Sequence, residues 1–154
     1  MLRFLCGLSM RVLIQRVKHA KVSVAETGVG SIEQGLLLFV AVQNHDSWAT
    51  LQKMADKVLA YRVFADAEGK MNLSVRDIKG GVLAISQFTL AADTRKGLRP
   101  SFSTAAPPAR AEDLYNQFVT LLKQQHKPVA TGRFAADMQV ELMNDGPVTF
   151  LLEL

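Results

Sequence analysis

The conventional nucleophiles and bases of this 154-residue chain are few and poorly placed for chemistry. His19 lies in a basic run, His45 just ahead of a helix start and His126 at a helix end, and none has a neighbouring motif that would orient its ring. There is no GxSxG elbow, no HExxH and no P-loop, and Gly28-Val-Gly30 lacks the third glycine and the following helix of a dinucleotide fingerprint. The single cysteine, Cys6, excludes a disulfide framework and a cysteine-based zinc site. It fits a reducing compartment and leaves a lone thiol as one open possibility.

Two segments carry polar groups that a packed core does not require. In Ser86-Gln-Phe-Thr-Leu90 an apolar run acquires a hydroxyl, an amide, an aromatic ring and a second hydroxyl directly before a basic loop. Its plainest reading is a strand end whose polar groups cap that loop. In Asn144-Asp-Gly-Pro-Val-Thr149 a Gly-Pro pair reads first as a hairpin turn. Proline is also the residue before which a cis bond costs only about 0.5–1 kcal/mol, and a cis bond sets two consecutive carbonyls side by side. The bare sequence does not choose between these.

The elements that must position these segments follow from periodicity. With 49% hydrophobic, 21% charged and 7% aromatic residues, the composition is that of a globular domain, and the length predicts one core. A net charge of +4 permits phosphate contact without marking a dedicated nucleic-acid binder. Arg11 to Ala25 alternates with period two and predicts two strands, Gly28 and Gly30 predict a turn, and Gly35 to Val42 predicts a buried strand. Ser47 caps a helix with Leu51, Met54, Ala55, Val58 and Leu59 on one face. Val82–Phe88 is a further buried strand, and residues 91–108 form a long polar loop with three of the five prolines. Unstructured loops longer than about 12–15 residues are often functional. A second amphipathic helix follows Pro108, with Ala111, Leu114, Phe118, Leu121 and Leu122 inward. Two strands, 138–143 and 148–152, close the chain around the turn 144–147. The expected fold is therefore mixed α/β, in the order β-β-β-α-β-α-β-β. Two packed β-sheets carry two main helices on one side, a three-layer β/β/α arrangement. Residues 1–9 are read as an extension ahead of a single domain spanning 10–154, too short and too interrupted for a secretory signal or a membrane span.

Ser86-Gln-Phe-Thr-Leu90, Lys96-Gly-Leu-Arg-Pro-Ser-Phe102, Gly132-Arg-Phe134 and Asn144-Asp-Gly-Pro-Val-Thr149, in this order, resemble the D-aminoacyl-tRNA deacylase family. So do Ile14-Gln-Arg-Val17 and Gly69-Lys-Met-Asn-Leu-Ser74, and the resemblance runs from Met10 to about Leu152. It implies a cytoplasmic homodimer, with active sites at the subunit interface and no cofactor or metal. Such a dimer hydrolyses the ester between a D-amino acid, or glycine, and the 3′ end of tRNA as chiral proofreading in translation.

The same resemblance distributes roles among the residues. Ser86, Gln87, Phe88 and Thr89 form the catalytic strand, with backbone N–H groups near Phe88 and Thr89 facing the developing oxyanion, and the ribose 2′-hydroxyl of the RNA assisting hydrolysis. Thr89 as the nucleophile ranks second, since no base stands beside it in the sequence. Gly146 and Pro147 form a Gly-cisPro filter that reaches into the partner's pocket and leaves no room for an L side chain. Phe134 shelters the adenosine or ester, Arg16 holds the filter loop, Lys96 and Arg99 meet phosphates, and Asn144 and Thr149 flank the filter as substrate-binding residues. The chain departs from the family pattern at Ala41 and Ala135, where glycine is usual. Without the resemblance, a non-catalytic RNA-binding module using Lys96 and Arg99 is the competing reading.

Overall fold

Residues 9–154 are described by a computed structural model. The extension expected at 1–9, with Cys6, lies outside the described residues except for Ser9. The alternating pattern of Arg11–Val24 builds one 14-residue strand, β1, where periodicity predicts two. The chain reverses at Ala25 and Glu26, both in the left-handed region (φ 48° and 69°), as a two-residue hairpin turn requires. The turn is therefore not at Gly28 or Gly30, which lie in β2 (Thr27–Ile32). Gly30 is needed there for close approach, because a Cβ at that position would collide with the carbonyl of Thr131.

β3 (Gly35–Ala41) is almost wholly buried and runs antiparallel to β1 and parallel to β6 (Gly81–Ser86). β7 (Val129–Thr131), not predicted, adds to the other edge of β6 in parallel. The short β4 (Phe64–Ala65) and β5 (Met71–Leu73) form a separate two-stranded sheet around the turn at Asp66–Gly69. β8 (Met138–Glu153) pairs along the free edge of β1 for nearly its whole length. The main sheet thus has the order β2-β1-β3-β6-β7, with β8 on β1.

This sheet folds over itself, which makes the predicted three layers. Leu37 of β3 and Leu83 and Ile85 of β6 face Val17, Ala20 and Val22 of β1 and Ile32 of β2 in one core. The alternate residues Leu36, Leu38, Val40, Val82 and Ala84 face the helices in a second, larger core. The second sheet layer is thus an extension of the first through β1 and β8. The period-two pattern buries β3 and β6 on both faces, and each fully buried aliphatic side chain contributes about 1.5–3 kcal/mol.

Both helices match the sequence reading. α1 (Trp48–Ala60) starts at Ser47, whose hydroxyl accepts from the Thr50 N–H at 3.3 Å, and the five predicted apolar residues are buried. α2 (Pro108–Gln125) begins with proline at its first position and buries Leu114, Phe118, Leu121 and Leu122. Two corrections bear on function. β6 ends at Ser86, and Phe88–Ala91 forms a single 3-10 turn, so the strand expected to reach Phe88 stops two residues earlier. The predicted hairpin at 144–147 is instead a bulge within one continuous strand, because Gln15 pairs with Thr149 and Val17 with Asn144, so that Arg16 alone stands opposite Asp145–Val148.

Candidate functional site

β3 and β6 are parallel, and loops beyond the carboxyl ends of parallel strands form crevices. At the end of β6 the Gln87 N–H donates to the Val40 carbonyl at 2.8 Å, which fixes the chain as it leaves the sheet. Ser86 and Gln87 are half-buried, Thr89 is exposed and the Phe88 ring is 65% exposed. The Gln87 side-chain amide donates to the Thr89 hydroxyl. An amide is not a base, so this contact orients Thr89 without activating it.

A cleft of about 700 Å³ opens here, lined by Ser86, Gln87, Phe88, Phe102 and Phe134 among others. Phe134 is half-buried, with its ring 6.0 Å from that of Tyr115. Tyr115 in turn donates from its hydroxyl to the Ala84 carbonyl of β6 at 2.9 Å. Burial pushes the Tyr115 phenol up to about 12, so it remains a neutral donor. Ala135, which follows Phe134, has φ 61°, a region that favours glycine and that an alanine enters at a cost of about 1 kcal/mol. The glycine that the resemblance leads one to expect here would enter this conformation freely, whereas the alanine meets it under strain.

The basic loop is closed at its base by reciprocal backbone bonds between Asp93 and Ser101, of 2.7 and 3.0 Å. Two guanidinium contacts from Arg95, 2.9 and 2.7 Å, hold the Asp93 carboxyl well below the usual carboxylate range. This occupies Arg95, whereas Lys96 and Arg99 are exposed at the tip and enter no ion pair among the described residues.

The remaining predicted residues gather elsewhere. Arg16 donates to the Asp145 carbonyl at 2.9 Å and to the Val63 carbonyl at 2.7 Å, and lies 3.7 Å from the Asp145 carboxylate. Asn144 donates to the Thr149 hydroxyl at 2.9 Å and accepts from the Val148 N–H, also at 2.9 Å, bracing the two ends of the bulge. Gln15 also donates to the Thr149 hydroxyl, at 3.1 Å. Gly146 and Pro147, joined by a cis peptide bond, are exposed at the crest. None of Arg16, Asn144, Gly146, Pro147 or Thr149 lines the cleft of their own chain. Most of the predicted residues thus form two clusters, a cleft with Ser86, Gln87, Phe88 and Phe134, and a braced crest, while Thr89, Lys96 and Arg99 do not line the cleft.

Sequence reasoning missed two contributors. Tyr115 sits next to Leu114 in the inward face of α2 and reads as core; its hydroxyl, which needs a partner when buried, was the available signal. Phe102 ends the segment Lys96–Phe102, and only the fold sets its ring beside Phe88 in the cleft. Among the described residues no group of three or more His, Cys, Asp or Glu side chains could hold a metal ion. No helix there is long and apolar enough to cross a membrane.

Comparison with known proteins locates this geometry in a family. Residues 13–153 match the model of D-Tyr-tRNA(Tyr) deacylase. The chain is 67% identical over 145 residues to the D-aminoacyl-tRNA deacylase of Saccharophagus degradans, covering 94% of this chain and all of the relative. It is 60% identical over 142 residues to that of Cellvibrio japonicus, covering 92% of this chain and 97% of the relative. A solved structure described as c-Myc DNA Unwinding Element Binding Protein is 37% identical, with a TM-score of 0.90, covering 94% of this chain and 98% of the other. A second, described as a probable eukaryotic D-amino acid tRNA deacylase, is 15% identical with a TM-score of 0.82, covering 96% and 100%, and shares the fold. The match spans both the cleft and the crest, and on it the chain belongs to the D-Tyr-tRNA(Tyr) deacylase family.

Proposed function

We propose that this protein hydrolyses the ester of D-aminoacyl-tRNA, releasing the D-amino acid and free tRNA as chiral proofreading in the cytoplasm. The observation that carries the reading is the 67% identity to a D-aminoacyl-tRNA deacylase along that relative's entire length. An activated ester with a vicinal 2′-hydroxyl needs orientation and charge stabilisation more than a protein base. The cleft fits that need. Gln87 fixes the Thr89 hydroxyl, and the amides of Phe88 and Thr89 open a 3-10 turn, where the first N–H groups have no acceptor within the turn and can meet an oxyanion. Phe134, held by Tyr115, shelters the adenosine end, and Lys96 and Arg99 meet phosphates.

In this reading the protein works as a homodimer, and the exposed crest of Gly146 and Pro147 enters the partner's cleft to reject L-aminoacyl groups. Its position outside the cleft of its own chain, with Arg16 bracing it from below, supports an action in trans. Met143, Phe150, Leu151 and Leu154 leave apolar side chains exposed along β8 and its end, a surface that a second copy would cover. Glycine, having no side chain to exclude, passes the same filter, so glycyl-tRNA is a substrate as well.

Purified protein offered D-Tyr-tRNA and L-Tyr-tRNA tests the reading: release of D-tyrosine alone is expected, and equal rates, or no release from the D form, would refute it. A nucleic-acid-binding module without turnover is the second reading, favoured by the description of the 37% identical structure as a DNA-binding protein. It predicts salt-sensitive binding of uncharged tRNA and no released amino acid.

A further inference from the structure

Phe88 and Phe102 form an aromatic pair at the mouth of the cleft that the proposed reaction leaves without a role. Their ring centroids are 5.4 Å apart with planes tilted by 46°. Both remain open to solvent, 65% for Phe88 and 37% for Phe102, although both line the cleft. Packing does not account for such a pair, because most of the Phe88 surface stays wet. Phe102 directly follows Ser101, which with Asp93 closes the loop bearing the unpaired cations Lys96 and Arg99. Exposed rings beside a basic segment are the arrangement with which proteins hold single-stranded nucleic acid, the rings stacking bases and the cations meeting the backbone.

We infer that the Phe88–Phe102 pair is the stacking platform for the nucleobase that precedes the terminal adenosine of the acceptor end. The inference rests on the deacylase reading and extends the substrate it contacts from one nucleoside to two. Phe88 adjoins Gln87 and Thr89, so a base on its ring lies within one nucleotide of the reacting ester. The terminal adenosine has a separate aromatic wall in Phe134, backed by Tyr115. Two aromatic positions in one cleft accommodate two consecutive bases, and the phosphate joining them lies on the side of the basic loop. A π face is common to all bases, so the platform supplies affinity and register without sequence preference.

The experiment compares 3′-O-D-tyrosyl adenosine monophosphate with the 3′-O-D-tyrosyl dinucleotide cytidylyl-adenosine, using the wild type, Phe102→Ala and Phe102→Trp. Stacking one base on an aromatic side chain changes affinity by about five- to 150-fold. The wild type is expected to favour the dinucleotide ester at least about fivefold in kcat/KM, mostly through KM. Phe102→Ala should bring the ratio of the two substrates close to one, and Phe102→Trp should keep it. The ratio is taken within each variant, so a smaller folded fraction cancels. Hydrolysis of both esters at equal kcat/KM by the wild type, or a ratio unchanged in Phe102→Ala, overturns the platform and leaves the deacylase reading standing. Hydrolysis of neither ester or of D-Tyr-tRNA overturns both.

Discussion

Replacing Tyr115 with phenylalanine should make the protein less stable at neutral pH and more stable than the wild type at high pH. The phenol is buried and donates to the Ala84 carbonyl at 2.9 Å. That carbonyl also accepts from the Gly132 N–H at 3.2 Å, so removing the hydroxyl does not strand it. The loss at pH 7 is therefore that of one ordinary hydrogen bond, about 1 kcal/mol, and not the larger penalty of an orphaned buried group. For a chain of this size it corresponds to a fall in Tm of about 2–4 °C. At high pH the balance reverses. The folded phenol titrates near 12 and the unfolded one near its usual value of 10.0. Between these values the unfolded chain gives up its proton first, so the wild type loses stability as pH rises. The loss is absent below about pH 10, nears completion at about pH 12 and totals roughly 3 kcal/mol. Phenylalanine has no proton to lose and escapes this term, so the variant should become the more stable by about 2 kcal/mol. Urea unfolding of both proteins from pH 7 to 12 measures the difference. Parallel stability curves across that range would show that the Tyr115 phenol is not held neutral by burial, and the account of its role would fail.

Two further outcomes follow from the cleft and the crest. Arg16→Lys keeps the charge but cannot hold the Asp145 and Val63 carbonyls together; losing one charge-assisted hydrogen bond of roughly 1.5 kcal/mol should lower the preference for D-Tyr-tRNA over L-Tyr-tRNA about tenfold. An unchanged ratio of kcat/KM values would separate Arg16 from chirality. Thr89→Ala should keep kcat within about tenfold if backbone donors and the RNA hydroxyl carry the reaction. A fall of a thousandfold or more, with a trapped acyl-enzyme in the wild type, would make Thr89 the nucleophile instead.

Much of this protein is legible before folding because burial leaves a period in the sequence. The stripe Leu51, Met54, Ala55, Val58 and Leu59 with the cap at Ser47 gives α1, the stripe Leu114, Phe118, Leu121 and Leu122 after Pro108 gives α2, and the apolar runs at 35–42 and 82–85 give the two central strands. The chemistry-bearing segments stand out for the opposite reason, as polar groups that core packing does not call for. Local pattern fails where the outcome depends on partners far along the chain. β7 has only three half-buried residues and exists because β6 offers it an edge. The crest at 145–148 reads as a hairpin turn and becomes a bulge because β1 pairs with β8 on both sides of it. Gly30 reads as a turn residue and is a contact residue, since the carbonyl it must clear belongs to Thr131, a hundred residues away in a strand that the fold lays across it. Sequence alone thus set apart the segments 86–90 and 144–149, through polar groups that burial does not call for. Tertiary structure decided their grouping: Phe134 is brought into the cleft with Ser86 and beside Tyr115, Phe102 is set at a tilt beside Phe88, and Gly146 and Pro147 are held apart from the cleft of their own chain. Those contacts join segments 14 or more residues apart, and no local period in the sequence encodes them.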